Sequence, residues 1–186
     1  MSKSVSHIFG GEAKVKIMRL FIFNPGVIFS PSEVAHRAQE RAKRAWVELR
    51  ILLKAGLVKR RSRGFTLNSA YLYLPAIENF LIDAVPISEQ EIVRRLSRAG
   101  VMKLVLISGV FLHNTDSRVD ILVVGDNLKQ GKLVSAIASI EAELGKELRY
   151  TMFETVDFKY RLGIYDKLIR DILESKHTKI LNKLGL

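Results

Sequence analysis

The chain has 186 residues, 48% of them hydrophobic and 26% charged, with no cysteine and a formal net charge of +11. That length holds one ordinary domain or two small ones, and the composition is that of a globular protein. The absence of cysteine excludes a disulfide scaffold, a cysteine nucleophile and thiolate metal sites, and the basic balance favours nucleic acid over an anionic membrane surface as partner.

The four histidines, His7, His36, His113 and His177, form no His-x-x-x-His pair, so no metal site is expected. No apolar run approaches the roughly 18 residues of a spanning helix, and residues 1–11 lack a secretory leader pattern. A cytoplasmic protein without a membrane partner is the expectation. The charge is unevenly placed. Residues 1–85 carry fourteen basic and six acidic side chains, whereas residues 86–186 carry sixteen and thirteen. Ten of the basic residues lie within residues 36–64, against only Glu40 and Glu48.

Glu12–Phe23 has apolar residues near helical spacing and ends at Asn24-Pro25-Gly26. Ser30-Pro31-Ser32-Glu33 is a helix start, with a hydroxyl cap, an early proline and a carboxylate in the first turn. That short helix runs to about Ala38. A longer one runs from about Glu40 to Ala55, with apolar Ala42, Ala45, Leu49, Leu52 and Leu53 on one stripe and Gly56 placed to end it. Two strand-like stretches, Val58–Arg61 and Phe65–Asn68, flank a basic tip at Ser62-Arg63-Gly64. Leu74–Asp83 reads as a connecting helix, and the chain divides near Asp83–Ser88, at Pro86. Ser88–Ala99 reads as a helix, Val101–Ser108 and Asp120–Val124 as buried strands, and Lys129–Leu144 as an amphipathic helix closed by Gly145. Arg149–Glu154 reads as a third strand, Phe158–Leu173 as helical and Lys179–Leu186 as a short tail. The fold class expected is α+β, in two domains of residues 1–85 and 86–186.

Helix, short helix, longer helix and basic hairpin is the order of a winged helix-turn-helix. The segment Leu49-Arg50-Ile51-Leu52-Leu53-Lys54-Ala55-Gly56-Leu57-Val58 resembles the end of the recognition helix and the first wing strand of ArsR-like bacterial regulators. The resemblance covers residues 12–73 and implies double-stranded DNA as partner. Arg37, Arg41, Lys43, Arg44 and Arg50 fall on or beside the recognition helix, with Arg44, Val47 and Lys43 expected to face outward. Lys59, Arg60, Arg61 and Arg63 fall on the wing. Arg44 is expected to read sequence and Arg63 to hold phosphate. Trp46 reads as a core or interdomain packing residue, with an exposed stacking group as the alternative.

In the second half, Leu104-Val105-Leu106-Ile107-Ser108-Gly109 is followed by Ser117-Arg118-Val119-Asp120-Ile121-Leu122-Val123-Val124. This resembles the minimal nucleotidyltransferase domain of the DNA polymerase β superfamily over residues 88–175. In that family a turn's amides hold a triphosphate and two strand carboxylates hold two metal ions. Ser108, Gly109, Ser117 and Arg118 are the nucleotide-binding candidates the resemblance implies. The turn here is Ser-Gly where the family has Gly-Ser, and one strand carboxylate, Asp120, remains. Asp120 and Glu154, on the third strand, are therefore vestigial catalytic candidates. Asp116 could assist from the loop, and an arginine partner for Asp120 is the simpler alternative. Mg²⁺ is expected only if the domain is an enzyme. The C-terminal stretch from Phe153 through Tyr160-Arg161 to Arg170-Asp171-Ile172 resembles proteins that fuse a winged helix to such a domain. The implied function is a DNA-binding regulator whose second domain serves dimerisation, as a homodimer, or ligand sensing. Nucleotide transfer to a protein or small molecule is the alternative.

Overall fold

A computed structural model describes residues 3–84, 87–112, 114 and 117–186. Pro86, at the expected boundary, and His113, Thr115 and Asp116 lie outside the described residues. The chain is mixed α+β and divides into two compact units. One comprises Met1–Ser88 with Ala138–Glu147, the other Glu89–Ile137 with Leu148–Leu186. The expected division at 85/86 thus falls close to the observed one, but residues 138–147 group with the first unit.

The first unit starts with α1 (Lys3–Ile8), α2 (Glu12–Ile22), α3 (Pro31–Arg37) and α4 (Ala42–Lys54). The Ser30 hydroxyl accepts the Glu33 backbone N–H while the Glu33 carboxylate accepts the Ser30 N–H at 2.7 Å, a reciprocal cap that sets where α3 begins. Two strands follow, β1 (Val58–Arg61) and β2 (Gly64–Leu67), paired antiparallel from Val58↔Leu67 to Arg61↔Gly64. Phe29, between α2 and α3, exchanges two backbone hydrogen bonds of 2.9 Å with Phe65 and adds a third line of pairing to the hairpin. A Cβ at Gly64 would collide with the Phe29 carbonyl, so this approach requires glycine. α5 (Leu74–Asp83) completes the order. The core joins Phe21, Ile17 and Leu20 of α2 to Leu49 and Leu52 of α4, and to Phe65 and Leu67 of the hairpin.

Residues 138–147 join this unit through polar contacts of sequence-distant groups. Asn24 donates to the Gly145 carbonyl at 2.7 Å, and Lys16 lies 3.6 Å from Glu143. Arg19 is buried and donates to the Ala84 carbonyl at 2.7 Å. Burial lowers its pKa to about 10 and Glu143 opposes that shift, so the guanidinium stays charged at neutral pH.

The second unit is a four-stranded sheet in the order β5-β4-β3-β6. Its strands are β3 (Val101–Ile107), β4 (Ile121–Asp126), β5 (Tyr150–Glu154) and β6 (Thr178–Asn182). β4 runs antiparallel to β3 and parallel to β5, and β6 pairs antiparallel with β3. The helices are α6 (Glu89–Leu96), α7 (Gln130–Leu144, whose residues 138–144 belong to the first unit), α8 (Thr155–Gly163) and α9 (Lys167–Glu174). Leu104, Leu106, Leu122 and Val124 of the sheet pack on Phe158 of α8 and on Ile169 and Ile172 of α9. Two expectations are corrected here. The span Phe158–Leu173 is two helices, broken at Tyr165, where φ is +56°. The tail is a strand, because β3 offers it an open edge.

On α6, Glu91 accepts from Arg94 and Arg95 at 2.6 and 2.7 Å. Those hydrogen bonds, that from Arg94 first, lower its pKa to about 2. A depressed carboxylate adds stability above its unfolded pKa and loses it as pH falls through the folded value. Glu91→Gln is therefore expected to unfold at lower urea than the parent at pH 7, with the difference shrinking below about pH 4.5 and gone near pH 2. Urea midpoints across that range check it.

Candidate functional site

α4 owes its orientation to its buried stripe of Ala45, Glu48, Leu49 and Leu52. At 100° per residue the opposite face carries Lys43, Val47, Arg50 and Lys54, all exposed. Lys54 was missed by sequence reasoning, although it follows Arg50 by one helical turn and Val47 by two. Arg44, expected to face outward, sits at the edge of this surface with its Nε 3.8 Å from Glu40. The lateral position follows from Ala45 and Glu48 pointing inward. Trp46 corrects the core expectation in part. It is 44% exposed and meets Phe65 edge-to-face at 6.0 Å, so it bridges α4 to the hairpin while showing an edge to water.

The hairpin presents Lys59, Arg60 and Arg61 consecutively, all exposed, with Arg63 at the tip. Alternate residues of a strand point to opposite faces. Cations therefore project from both faces of the ribbon. The side chains of Arg41, Lys43, Arg50, Lys54, Lys59, Arg60, Arg61 and Arg63 have no ion pair or hydrogen bond among the described residues. Like charges at this density repel one another in the folded chain, and the arrangement suits an anionic partner that screens them.

Arg37 differs. It is only partly exposed and forms an ion pair with Glu147. That carboxylate occupies a guanidinium that the sequence places among the DNA-binding candidates. Glu147→Gln is expected to strengthen binding to an anionic polymer by roughly two- to fivefold at low salt, an effect of the size of one partly exposed ion pair. A titration at two salt concentrations checks it.

In the second unit, Asp120 is 1% exposed and stands just before β4. Its Oδ1 accepts the Val110 backbone N–H at 2.9 Å, and its Oδ2 accepts the Arg149 backbone N–H at 2.8 Å and the Arg149 Nε at 3.3 Å. Gly109 makes the turn with φ +53°, and a Cβ there would strike the Asp120 carboxylate. The turn amide that the resemblance assigns to a phosphate is thus bonded to the protein's own carboxylate. Ser108 is buried and donates to the Lys176 carbonyl at 2.6 Å. Ser117 is buried and donates to the Val119 carbonyl at 2.6 Å. Arg118 is half-exposed and lies 3.0 Å from Asp171.

Glu154 is not brought to Asp120. The parallel register runs from Ile121↔Tyr150 to Gly125↔Glu154, so the two carboxylates lie at opposite ends of the sheet. The separation is about 16 Å at roughly 3.3 Å per residue. Glu154 instead accepts the Leu128 backbone N–H at 3.1 Å. The β5 neighbour that does reach Asp120 is Arg149, a cation. Asp120 and Glu154 thus do not form the paired donors of a two-metal centre.

Comparison with protein-family models, curated proteins and solved structures gives no match for this chain.

Proposed function

We propose that the first unit is a winged helix-turn-helix that binds duplex DNA, and that the chain is a transcriptional regulator. In this reading α4 enters the major groove with Lys43, Val47, Arg50 and Lys54 toward base edges and phosphates. The β1–β2 hairpin is the wing, and Phe29 supplies the third strand beside it. The observation that carries the reading is a set of seven exposed cations whose side chains have no ion pair or hydrogen bond among the described residues, three on one helix face and four on one hairpin, with Arg41 beside the helix start. A solvated basic face needs no such concentration on two adjoining elements.

The second unit is read as a nucleotidyltransferase-like domain that serves dimerisation or ligand sensing. Its support is the sequence of strand, tight glycine turn and carboxylate before the next strand. The engagement of Asp120 by Val110 and Arg149 weighs against nucleotide transfer, because an incoming triphosphate must first displace a buried carboxylate from that turn. A regulator of this kind is expected to retain a small set of sites from fragmented DNA at near-physiological salt. Uniform retention that disappears with added salt would mean electrostatic attraction alone. Tighter binding to structured RNA than to duplex DNA would replace the partner.

A further inference from the structure

α4 exposes two apolar side chains within its cationic face. Val47 and Ile51 lie at i and i+4, so they are neighbours on one stripe. They are 49% and 44% exposed, whereas Ala45 and Leu49 of the same helix are buried. Cations border the pair. Lys43 stands four residues before Val47, Arg44 three before it and Arg50 three after it, and Lys54 stands three after Ile51, all exposed. The one carboxylate of the helix, Glu48, points inward and is buried. Helix formation does not account for the pair, because β-branched side chains lose rotamer freedom in a helix and lysine or arginine would serve better at an exposed position. The core does not account for it either, since neither residue belongs to the buried cluster of this unit.

We propose that Val47, with Ile51 beside it, reads the 5-methyl group of thymine in the major groove, so that the duplex this chain selects carries an A·T pair where the middle of α4 lies. The inference rests on the reading of the first unit as a duplex-DNA binder, and it names what that site recognises. Charge sets the occupant. An apolar pair bordered by four cations is complementary to a polyanion that also offers an apolar group, and an apolar protein surface would leave those cations without partners. Chemistry then selects the base. Base edges in the major groove present hydrogen-bond donors and acceptors, and the one apolar group among them is the thymine methyl. Against a guanine or cytosine edge Val47 would cover a polar atom that it cannot bond, which costs affinity. Against thymine it covers the methyl, and both partners remove apolar area from water. The same contact separates DNA from RNA, whose uracil lacks the methyl and whose narrow major groove side chains cannot read.

The test uses the full chain and a pool of short duplexes of random sequence, prepared once with thymine and once with uracil in its place. The thymine pool is expected to converge on sequences that share a thymine at one fixed position. Replacing that thymine by uracil is expected to weaken binding roughly fourfold, the effect of one buried methyl group. Val47→Ala, which suits a helix better than valine, is expected to bind the thymine and uracil copies alike. Its salt slope should match the parent's, because no phosphate contact is lost. Selected sites that bind equally well with uracil overturn the inference and leave the DNA reading standing. A preference for thymine that Val47→Ala retains in full does the same. Equal binding of both pools without convergence overturns the inference and means electrostatic attraction alone. A chain that binds neither pool overturns the DNA reading and the inference together.

Discussion

Replacing Lys59, Arg60, Arg61 and Arg63 together by Gln is expected to weaken duplex DNA binding by about a hundredfold near physiological salt and to lower the salt slope by about 3.6. Each cation that neutralises a phosphate releases condensed counterions worth about 0.9 in that slope. All four side chains are exposed on the hairpin, and among the described residues none has a protein partner. Their removal therefore breaks no side-chain ion pair or hydrogen bond among the described residues, and folding stability is expected to change by less than about 0.5 kcal/mol. The loss should be the same for every duplex sequence, because cations on both faces of a narrow ribbon meet the backbone rather than base edges. Lys43→Ala and Arg50→Ala, on the outward face of α4, should instead alter the ranking among sequences. Fluorescence titrations at several salt concentrations read both effects. An unchanged slope in the quadruple variant would remove the hairpin from the interface and with it the winged-helix docking.

The second large effect is expected at Asp120. Asp120→Ala should destabilise the second unit by about 3 kcal/mol or more, read from urea unfolding of the full chain. The carboxylate is buried and accepts two backbone N–H groups, those of Val110 and Arg149, as well as the Arg149 guanidinium. Removing it leaves donors without acceptors where water is scarce, at about 1–3 kcal/mol each. It also strands a guanidinium beside the sheet end. Asp120→Asn should cost less, since its carbonyl oxygen still accepts one of the two amides. A carboxylate kept only for metal-dependent chemistry would behave differently, because such groups are commonly dispensable for stability or even costly to it. A loss below about 1 kcal/mol would refute the structural role and restore interest in nucleotide transfer.

The candidate site was partly legible from the chain. The apolar repeat Ala45, Leu49 and Leu52 orients α4, and the face opposite follows from the helical period. Lys54 follows by the same arithmetic, one turn beyond Arg50. Arg44 is exposed, as expected, at the edge of that surface and 3.8 Å from Glu40, while Glu48 turns inward to an ionic partner, Lys14 on α2. A buried acidic residue on the inner stripe has no signature in a hydrophobic pattern. Trp46 combines the two expected roles, meeting Phe65 edge-to-face while 44% exposed, a division set by how closely the hairpin approaches α4.

The sequence by itself determined the order of the elements from α2 to β5, the start of α3 at its Ser30–Glu33 cap and the concentration of charge in residues 36–64. Each depends on neighbours within one or two turns, so local chemistry suffices. Tertiary structure decided the pairing of Phe29 with Phe65, the recruitment of residues 138–147 by Lys16 and Asn24, and the conversion of the tail into β6 along β3. It also decided that Asp120 meets Arg149 while Glu154 lies at the far end of the same sheet. These depend on register and on which edge or cavity a distant segment finds, and residues far apart in the chain carry no local periodicity that records it.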